Sequence, residues 1–235
     1  MTSSIEPCAG VRVAKLYIYG ASGHGKVVAE VAVALGYQVS GFIDDDPSTV
    51  GKHVLDLPIC GGFEWLARNA QHSKLVVGLG IGDNRERYRI AQQCRRRDIP
   101  FVTLVHPSAL ISRSATVGTG TIVMARVVVN AEAKIGDGVI INTGSIIEHD
   151  CSVGEYAHLS PGSVMGGASS LGAMSWLGMG AAIIQRVSVG AGSVVGAGAV
   201  VIQDLPETVV AVGVPARVCH RTARIEESAK NDTIK

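Results

Sequence analysis

The sequence predicts an α/β domain with a small, mostly parallel sheet, followed by an all-β parallel β-helix. Between about residues 15 and 106, strand-like and helix-like segments alternate. From Val105 to Val201 every sixth residue is apolar (Val105, Ile111, Val117, Val123 and onward to Val195 and Val201), and the register never slips. Glycine falls repeatedly just after these anchors, as at Gly118, Gly136, Gly154, Gly172 and Gly190.

Taken in order, residues 1–14 carry no periodicity and read as a flexible N-terminus. Leu16-Tyr17-Ile18-Tyr19 is a buried strand, Gly20-Ala21-Ser22-Gly23-His24-Gly25 a glycine-rich turn, and 26–35 a helix. Strand, turn and helix in that order make a Rossmann-like nucleotide site, because glycines let backbone approach phosphate and a helix N-terminus favours negative charge. The order G-x-x-G-x-G differs from the dinucleotide pattern. Gly20, Gly25 and Lys26 meet the P-loop spacing, but Val27 replaces the Ser or Thr that would hold magnesium. A kinase or ATPase is therefore disfavoured. A second strand over 38–43 ends in Asp44-Asp45-Asp46-Pro47, whose carboxylates are placed to accept from a ribose or base; the plainer reading is an Asx turn before proline. A helix over 62–69, a third strand over 75–79, a helix from the loop 80–85 to about Arg97, and a fourth strand over 101–105 complete a domain spanning 15–106. The short link His106-Pro107 predicts that this domain packs closely against the repeats.

A period of six cannot serve one amphipathic helix, because six steps of about 100° send successive anchors in three directions. Each hexad over 107–205 instead reads as a short strand plus a corner, stacked so that every repeat buries its apolar side against its neighbours. With three hexads to a coil, residues eighteen apart stack about 4.8 Å from one another. After Val201 the pattern decays through a C-terminal segment, 206–235, whose tail from Thr222 is charged and lacks apolar spacing.

Composition narrows the function. The net charge of +1 argues against a nucleic-acid protein. No window is apolar enough for a membrane span, no export signal opens the chain, and five cysteines without paired spacing suit a reducing, cytoplasmic setting.

Of seven histidines, His149 and His158 fall inside the repeats. His149 occupies the corner Glu148-His149-Asp150, where neighbouring coils offer mostly glycine or small residues, so packing does not explain its ring. His149 and His158 are nine residues apart, half a coil, and lie on opposite sides of one prism; a second subunit is needed to bring them together. A catalytic zinc needs three protein ligands, and no third histidine lies among the repeats, so no metal is expected. Asp150 follows His149 directly, and consecutive strand residues point to opposite faces. It reaches the ring only if the corner turns it back.

The glycine turn, the Asp44-Asp45-Asp46 strand end and Glu148-His149-Asp150 within hexapeptide repeats together resemble the left-handed β-helix sugar acetyltransferases of bacterial surface-glycan pathways. These include N-acetyltransferases for UDP-bacillosamine precursors and GDP-perosamine, and sialic acid O-acetyltransferases. The similarity runs from about Lys15 to Arg217. It implies a left-handed helix, a homotrimer with sites between subunits, acetyl-CoA as co-substrate, and a nucleotide-linked amino sugar as acceptor. By the same resemblance His149 is the general base, Asp150 its acidic partner, and His158 the histidine near the acetyl group. Asn142 touches the sugar, and the Gly167 amide, eighteen residues after His149, holds the oxyanion. Acetyl-CoA is expected along Gly167, Met179, Ala197, Pro215 and Arg217, and the nucleotide against Ser22, Gly23, His24, Asp44 and Asp45, with Asn84 and Arg85 as additions. The implied function is N-acetylation of a 4-amino-4,6-dideoxy sugar. O-acetylation of a sialic acid-type sugar and a catalytically silent nucleotide-sugar-binding trimer are the alternatives.

Overall fold

The structure, a computed structural model, describes residues 14–222; the N-terminal residues before Ala14 and the charged tail after Thr222 lie outside the described residues. The first domain is a five-stranded sheet of β1 (Lys15–Tyr19), β2 (Val39–Ile43), β3 (His53–Val54), β4 (Leu57–Gly61) and β5 (Leu75–Leu79) in the order β3-β4-β2-β1-β5. All pairings are parallel except the β3–β4 hairpin. The alternation of β1 accounts for helices on both faces. Leu16 and Ile18 pack with Val28, Val31 and Ala32 of α1 (Gly23–Ala34). Tyr17 and Tyr19 point the other way, to Leu66 of α2 (Phe63–Ala70) and to Ile90, Ala91 and Cys94 of α3 (Asn84–Arg95).

Two sequence expectations are corrected. β3 and β4 are strands the sequence reading did not include; Pro58 within β4 is a residue that by itself argues against a sheet interior. The expected fourth strand over 101–105 is split: Phe101 makes a single bridge to Val77, while Leu104–Val105 pair with Ile122–Val123. Residues 104–105 are thus the first rung of the β-helix, and the boundary falls before 106.

From Leu104 to Val201 the chain runs through two-residue strands, each ending on one of the sixth-residue anchors. They stack into three parallel sheets, and Ile140 pairs with both Ile122 and His158, so one coil is eighteen residues. This is the left-handed β-helix. The anchors fill the interior together with the small residues. Buried hydroxyls among the latter donate to the next coil's carbonyls, as Ser145 Oγ does to Ser160 O and Ser175 Oγ to Gly190 O, both at 2.9 Å.

The residue before each anchor points outward, and these columns distinguish the faces. The first face starts with Leu104 and Ile122, fully buried beneath α1, and continues through Ile140, His158 and Trp176. The second presents Leu110, Val128, Ile146, Val164, Ala182 and Val200, an apolar ladder with Leu110 well exposed. The third carries Thr116, Lys134, Ser152, Ser170 and Ser188. Beyond Val201 the first face continues with Val209–Val212 and an antiparallel final strand, Arg217–Arg221.

Candidate active site

His149 stands at the corner between the second and third faces, its side chain 61% exposed. Asp150, next in line, adopts φ +60°, a left-handed conformation that Asp tolerates better than most residues. That bend folds the carboxylate back, and Asp150 Oδ2 lies 2.7 Å from His149 Nδ1. The alternation of a strand does not apply at this corner. The carboxylate accepts the Nδ1 hydrogen, leaving the Nε2 lone pair directed away. One coil on, Ala168 N–H donates to His149 O at 2.8 Å, and a Cβ added at Gly167 would lie 2.6 Å from His149 Nε2. The imidazole therefore rests directly on the Gly167 backbone. Beside it, Glu148 Oε2 accepts from Asn130 Nδ2 at 2.8 Å.

A cleft of about 310 Å³ opens at the carboxyl ends of β1, β2 and β5, lined by Tyr19, Ser22, Asp44, Asp45 and the loop 80–83. Its glycine turn is set by sterics: a Cβ on Gly25 would fall 1.8 Å from Gly20 O, and Gly20 itself has φ +103°. Gly23 differs, since a Cβ there would meet nothing within 4 Å. Asp44 lines the cleft, and its Oδ2 accepts from Ala21 N–H at 2.9 Å and its Oδ1 from Asp46 N–H at 3.0 Å, which makes the Asx turn. Asp45 Oδ1 accepts from Tyr19 OH and Phe63 N–H, both at 2.8 Å. Burial, then Asp45, push the Tyr19 phenol above its ordinary range, so it remains a donor.

A second cluster lies on the first face, beside the first turn of α1 and the loop 80–83. His158, 6% exposed, stacks on Trp176 with ring centroids 4.7 Å apart, and Trp176 Nε1 donates to Ser160 Oγ at 2.7 Å. Asn142 Nδ2 lies 3.3 Å from His158 Nε2. The His24 ring is 6.1 Å from that of His158, and its Nε2 is buried without a protein partner. Burial, reinforced by the charge of Arg87, lowers His24 to about 4 and His158 to about 3.

Asn84 and Arg85 do not line the nucleotide cleft. Asn84 Nδ2 donates to Met174 O and Ser175 O, and its Oδ1 accepts from Arg87; Arg85 lines a separate groove with Met174 and Trp176. Met179, 62% exposed, and Ala197 share the corner between the first and second faces, with Gly198 N–H donating to Met179 O. Pro215 and Arg217 sit at the turn into the final strand. The sequence reading did not single out Arg87; it lies on the buried face of α3 with Ile90, Ala91 and Cys94, but its β-helix partners Gly138, Tyr156 and Ala157 are 51–70 residues away.

An exposed, carboxylate-braced imidazole on a hexapeptide prism, joined to a small α/β domain, has the form of a hexapeptide acyltransferase. The PglD N-terminal domain model matches residues 15–94, and the bacterial transferase hexapeptide (six repeats) model matches 132–167. The chain is 40% identical to PerB from Caulobacter crescentus, solved in complex with CoA and GDP-perosamine; the match has a TM-score of 0.84 and covers 90% of this chain and 100% of that one. The acetyltransferase domain of PglB from Neisseria gonorrhoeae is 37% identical, with a TM-score of 0.81, over 87% of this chain and 99% of that one. UDP-N-acetylbacillosamine N-acetyltransferase of Bacillus subtilis (strain 168) is 36% identical over 117 residues, 46% of this chain, and the match spans half of that curated relative's length. The chain belongs to the hexapeptide-repeat family of amino-sugar N-acetyltransferases. No helix among the described residues is long and apolar enough to cross a membrane.

Proposed function

We propose that the protein transfers acetyl from acetyl-CoA to the 4-amino group of a nucleotide-linked 4-amino-4,6-dideoxy sugar, at a site shared between two copies of the chain. The observation that carries the reading is His149, braced by Asp150 and resting on Gly167 with Nε2 free. The amine attacks the thioester carbonyl, and His149 Nε2 accepts the proton the amine loses. The Gly167 N–H donates to the oxyanion that forms. As the tetrahedral intermediate collapses, the C–S bond breaks and CoA leaves as the thiol, taking up a proton. Neutral imidazole suits this work near pH 7, and an oxyanion donor is worth roughly 3 kcal/mol. Acetyl-CoA runs along the groove past Met179 and Ala197 toward Pro215 and Arg217. The nucleotide occupies the cleft, its ribose or base against Asp44 and Asp45 and its phosphates at Ser22, extending past the lining toward Gly23 and His24. The open space at Gly23 supports close approach of a ligand there.

The three faces support a trimer. The third is polar and the first is covered over its upper rungs, whereas the second holds an unpartnered apolar ladder from Leu110 to Val200. Packing that ladder on a neighbour brings the His149 corner of one copy toward the Asn142–His158 face of the next, joining groups that one prism keeps apart. The relatives' complexes with CoA, acetyl-CoA and GDP-perosamine support both ligand classes.

The test is thiol release from acetyl-CoA with GDP-, UDP- and dTDP-linked 4-amino sugars, followed by mixing two inactive chains, His149→Ala and Asn142→Ala. Random reassortment of a cyclic trimer restores about one quarter of the sites. No recovery on mixing, with each variant still trimeric, sinks the shared site. Turnover of a sialic acid-type sugar alone, with a base-labile product, would favour O-acetylation.

A further inference from the structure

Among the described residues Arg87 is the largest side chain wholly withdrawn from solvent, and its hydrogen-bond partners are all neutral oxygens. Its Nε donates to Gly138 O at 2.7 Å, Nη1 to Ile81 O and Gly82 O at 3.1 Å, and Nη2 to Asn84 Oδ1 and Tyr156 O at 2.8 Å and Ala157 O at 3.3 Å. Three of these oxygens belong to the cleft side and three to the β-helix, so one cation ties the loop 81–84 to the prism.

Of the six oxygens, Ala157 O also accepts from Ile140 N–H at 3.0 Å, and Gly82 O has a further donor within reach. His158 Nδ1 lies 3.3 Å from Gly82 O, and a carbonyl has no hydrogen to give, so neutral His158 carries its ring hydrogen on Nδ1 and its lone pair on Nε2. Asn142 is oriented independently: Thr143 N–H donates to Asn142 Oδ1 at 2.9 Å, which turns Nδ2 toward His158 Nε2 at 3.3 Å. Each link points the same way, from Asn142 through His158 to Gly82. Of the two hydrogens on Asn142 Nδ2, one is committed to His158 and the other is left for a ligand.

We infer that Arg87 is a positioning residue: by pinning the Gly82 carbonyl to the β-helix it sets the direction of the Asn142–His158–Gly82 chain, so that Asn142 offers an N–H donor to the acceptor sugar. The identity of that sugar rests on the proposed reaction; the direction of the chain does not. A donor there fits an amine lone pair or a hydroxyl oxygen and disfavours an ammonium, so the site selects the unprotonated amine that alone can attack a thioester. The charged or titratable groups facing His158 are Arg87 and His24, with Asp83 beside Arg87. Burial and the Arg87 charge both resist protonation of His158, which preserves its Nε2 as an acceptor.

The experiment is NMR of the intact chain carrying 15N-labelled histidine, without substrate, which reads the tautomer from the two ring-nitrogen shifts. The native chain should show His158 neutral with hydrogen on Nδ1. Arg87→Lys, which keeps charge but cannot span six oxygens, should populate the other tautomer. It should also lower kcat about 10-fold or more while leaving KM for acetyl-CoA within about twofold. Hydrogen on Nε2 in the native chain, or an Arg87→Lys chain with native tautomer and native kcat, overturns the proposal. Where Arg87→Lys does not fold, Asn142→Asp decides. A carboxylate there cannot donate to Nε2, so the His158 titration should rise by about one to two units; an unchanged titration overturns the proposal equally. Absence of turnover by the native chain with every amino sugar, alongside the Nδ1 hydrogen, removes the proposed reaction and leaves the chain direction supported.

Discussion

His149 and His158 stand half a coil apart on one prism, and the fold treats them in opposite ways. His149 sits on an open corner, held by one carboxylate and one glycine, with most of its side chain in solvent. His158 is enclosed by Trp176, His24, Asn142 and the loop pinned by Arg87. The contrast separates two tasks. In the proposed mechanism, the group that gains and loses a proton is accessible on one prism, whereas the group that holds one hydrogen-bonding pattern is buried where its charged form is penalised.

The largest effect that tests this contrast is His149→Ala, which should cut thiol release by about 10²–10⁴-fold while the melting temperature stays near native, because the exposed ring contributes little packing. A variant of full activity would remove the base from the mechanism. Ile146→Asp on the apolar ladder comes next. Sedimentation should report a chain no longer trimeric, and activity should fall with it although circular dichroism is unchanged; a trimeric, active Ile146→Asp chain breaks the shared-site reading. Gly167→Ala is expected to reduce kcat by about 10²-fold, since its methyl group would sit 2.6 Å from His149 Nε2 and displace the ring. Here a native kcat would mean that the ring does not work from above Gly167.

The smallest effect is on stability. The folded-state values of His24, about 4, and His158, about 3, lie below the unfolded value of 6.5. The unfolded chain therefore binds more protons between these limits, and stability falls as pH drops from about 6.5 toward 3. Melting temperatures across that range should decline, and His158→Asn should flatten the decline. An unaltered slope would show that His158 is not buried neutral.

The β-helix was legible in the sequence down to single residues, because each anchor repeats the same inward position and an eighteen-residue coil fixes which residues stack. Gly167 over His149 follows from that arithmetic alone. The first domain was less legible: the β3–β4 hairpin includes Pro58, which by itself argues against a sheet interior, and Leu104–Val105 read as a strand of the wrong sheet because an apolar pair does not reveal its partner. The His149–Asp150 contact depends on one backbone angle at Asp150, and strand alternation argues against it. The left-handed corner recurs at Glu132, Ala168 and Arg186, eighteen residues apart, so the register carried the signal without its conformation. Helix periodicity sets Asn84 and Arg87 on the same face as Ile90, Ala91 and Cys94, but the carbonyls in distant coils that make polar groups tolerable there have no local signature.

The fixed coil also makes the prism a dial. Six residues advance the chain by one face, or a third of a revolution, and eighteen return it to the same edge one layer further along. An inserted hexad between His149 and Gly167 would rotate every later group onto the neighbouring edge, taking Gly167 out from under the imidazole and moving the Met179–Ala197 edge away from its present corner between the first and second faces. Only whole coils preserve azimuth, and they do so by adding height. Length changes in this half of the molecule are therefore quantised, whereas the surface loops of the first domain can grow by single residues without turning anything.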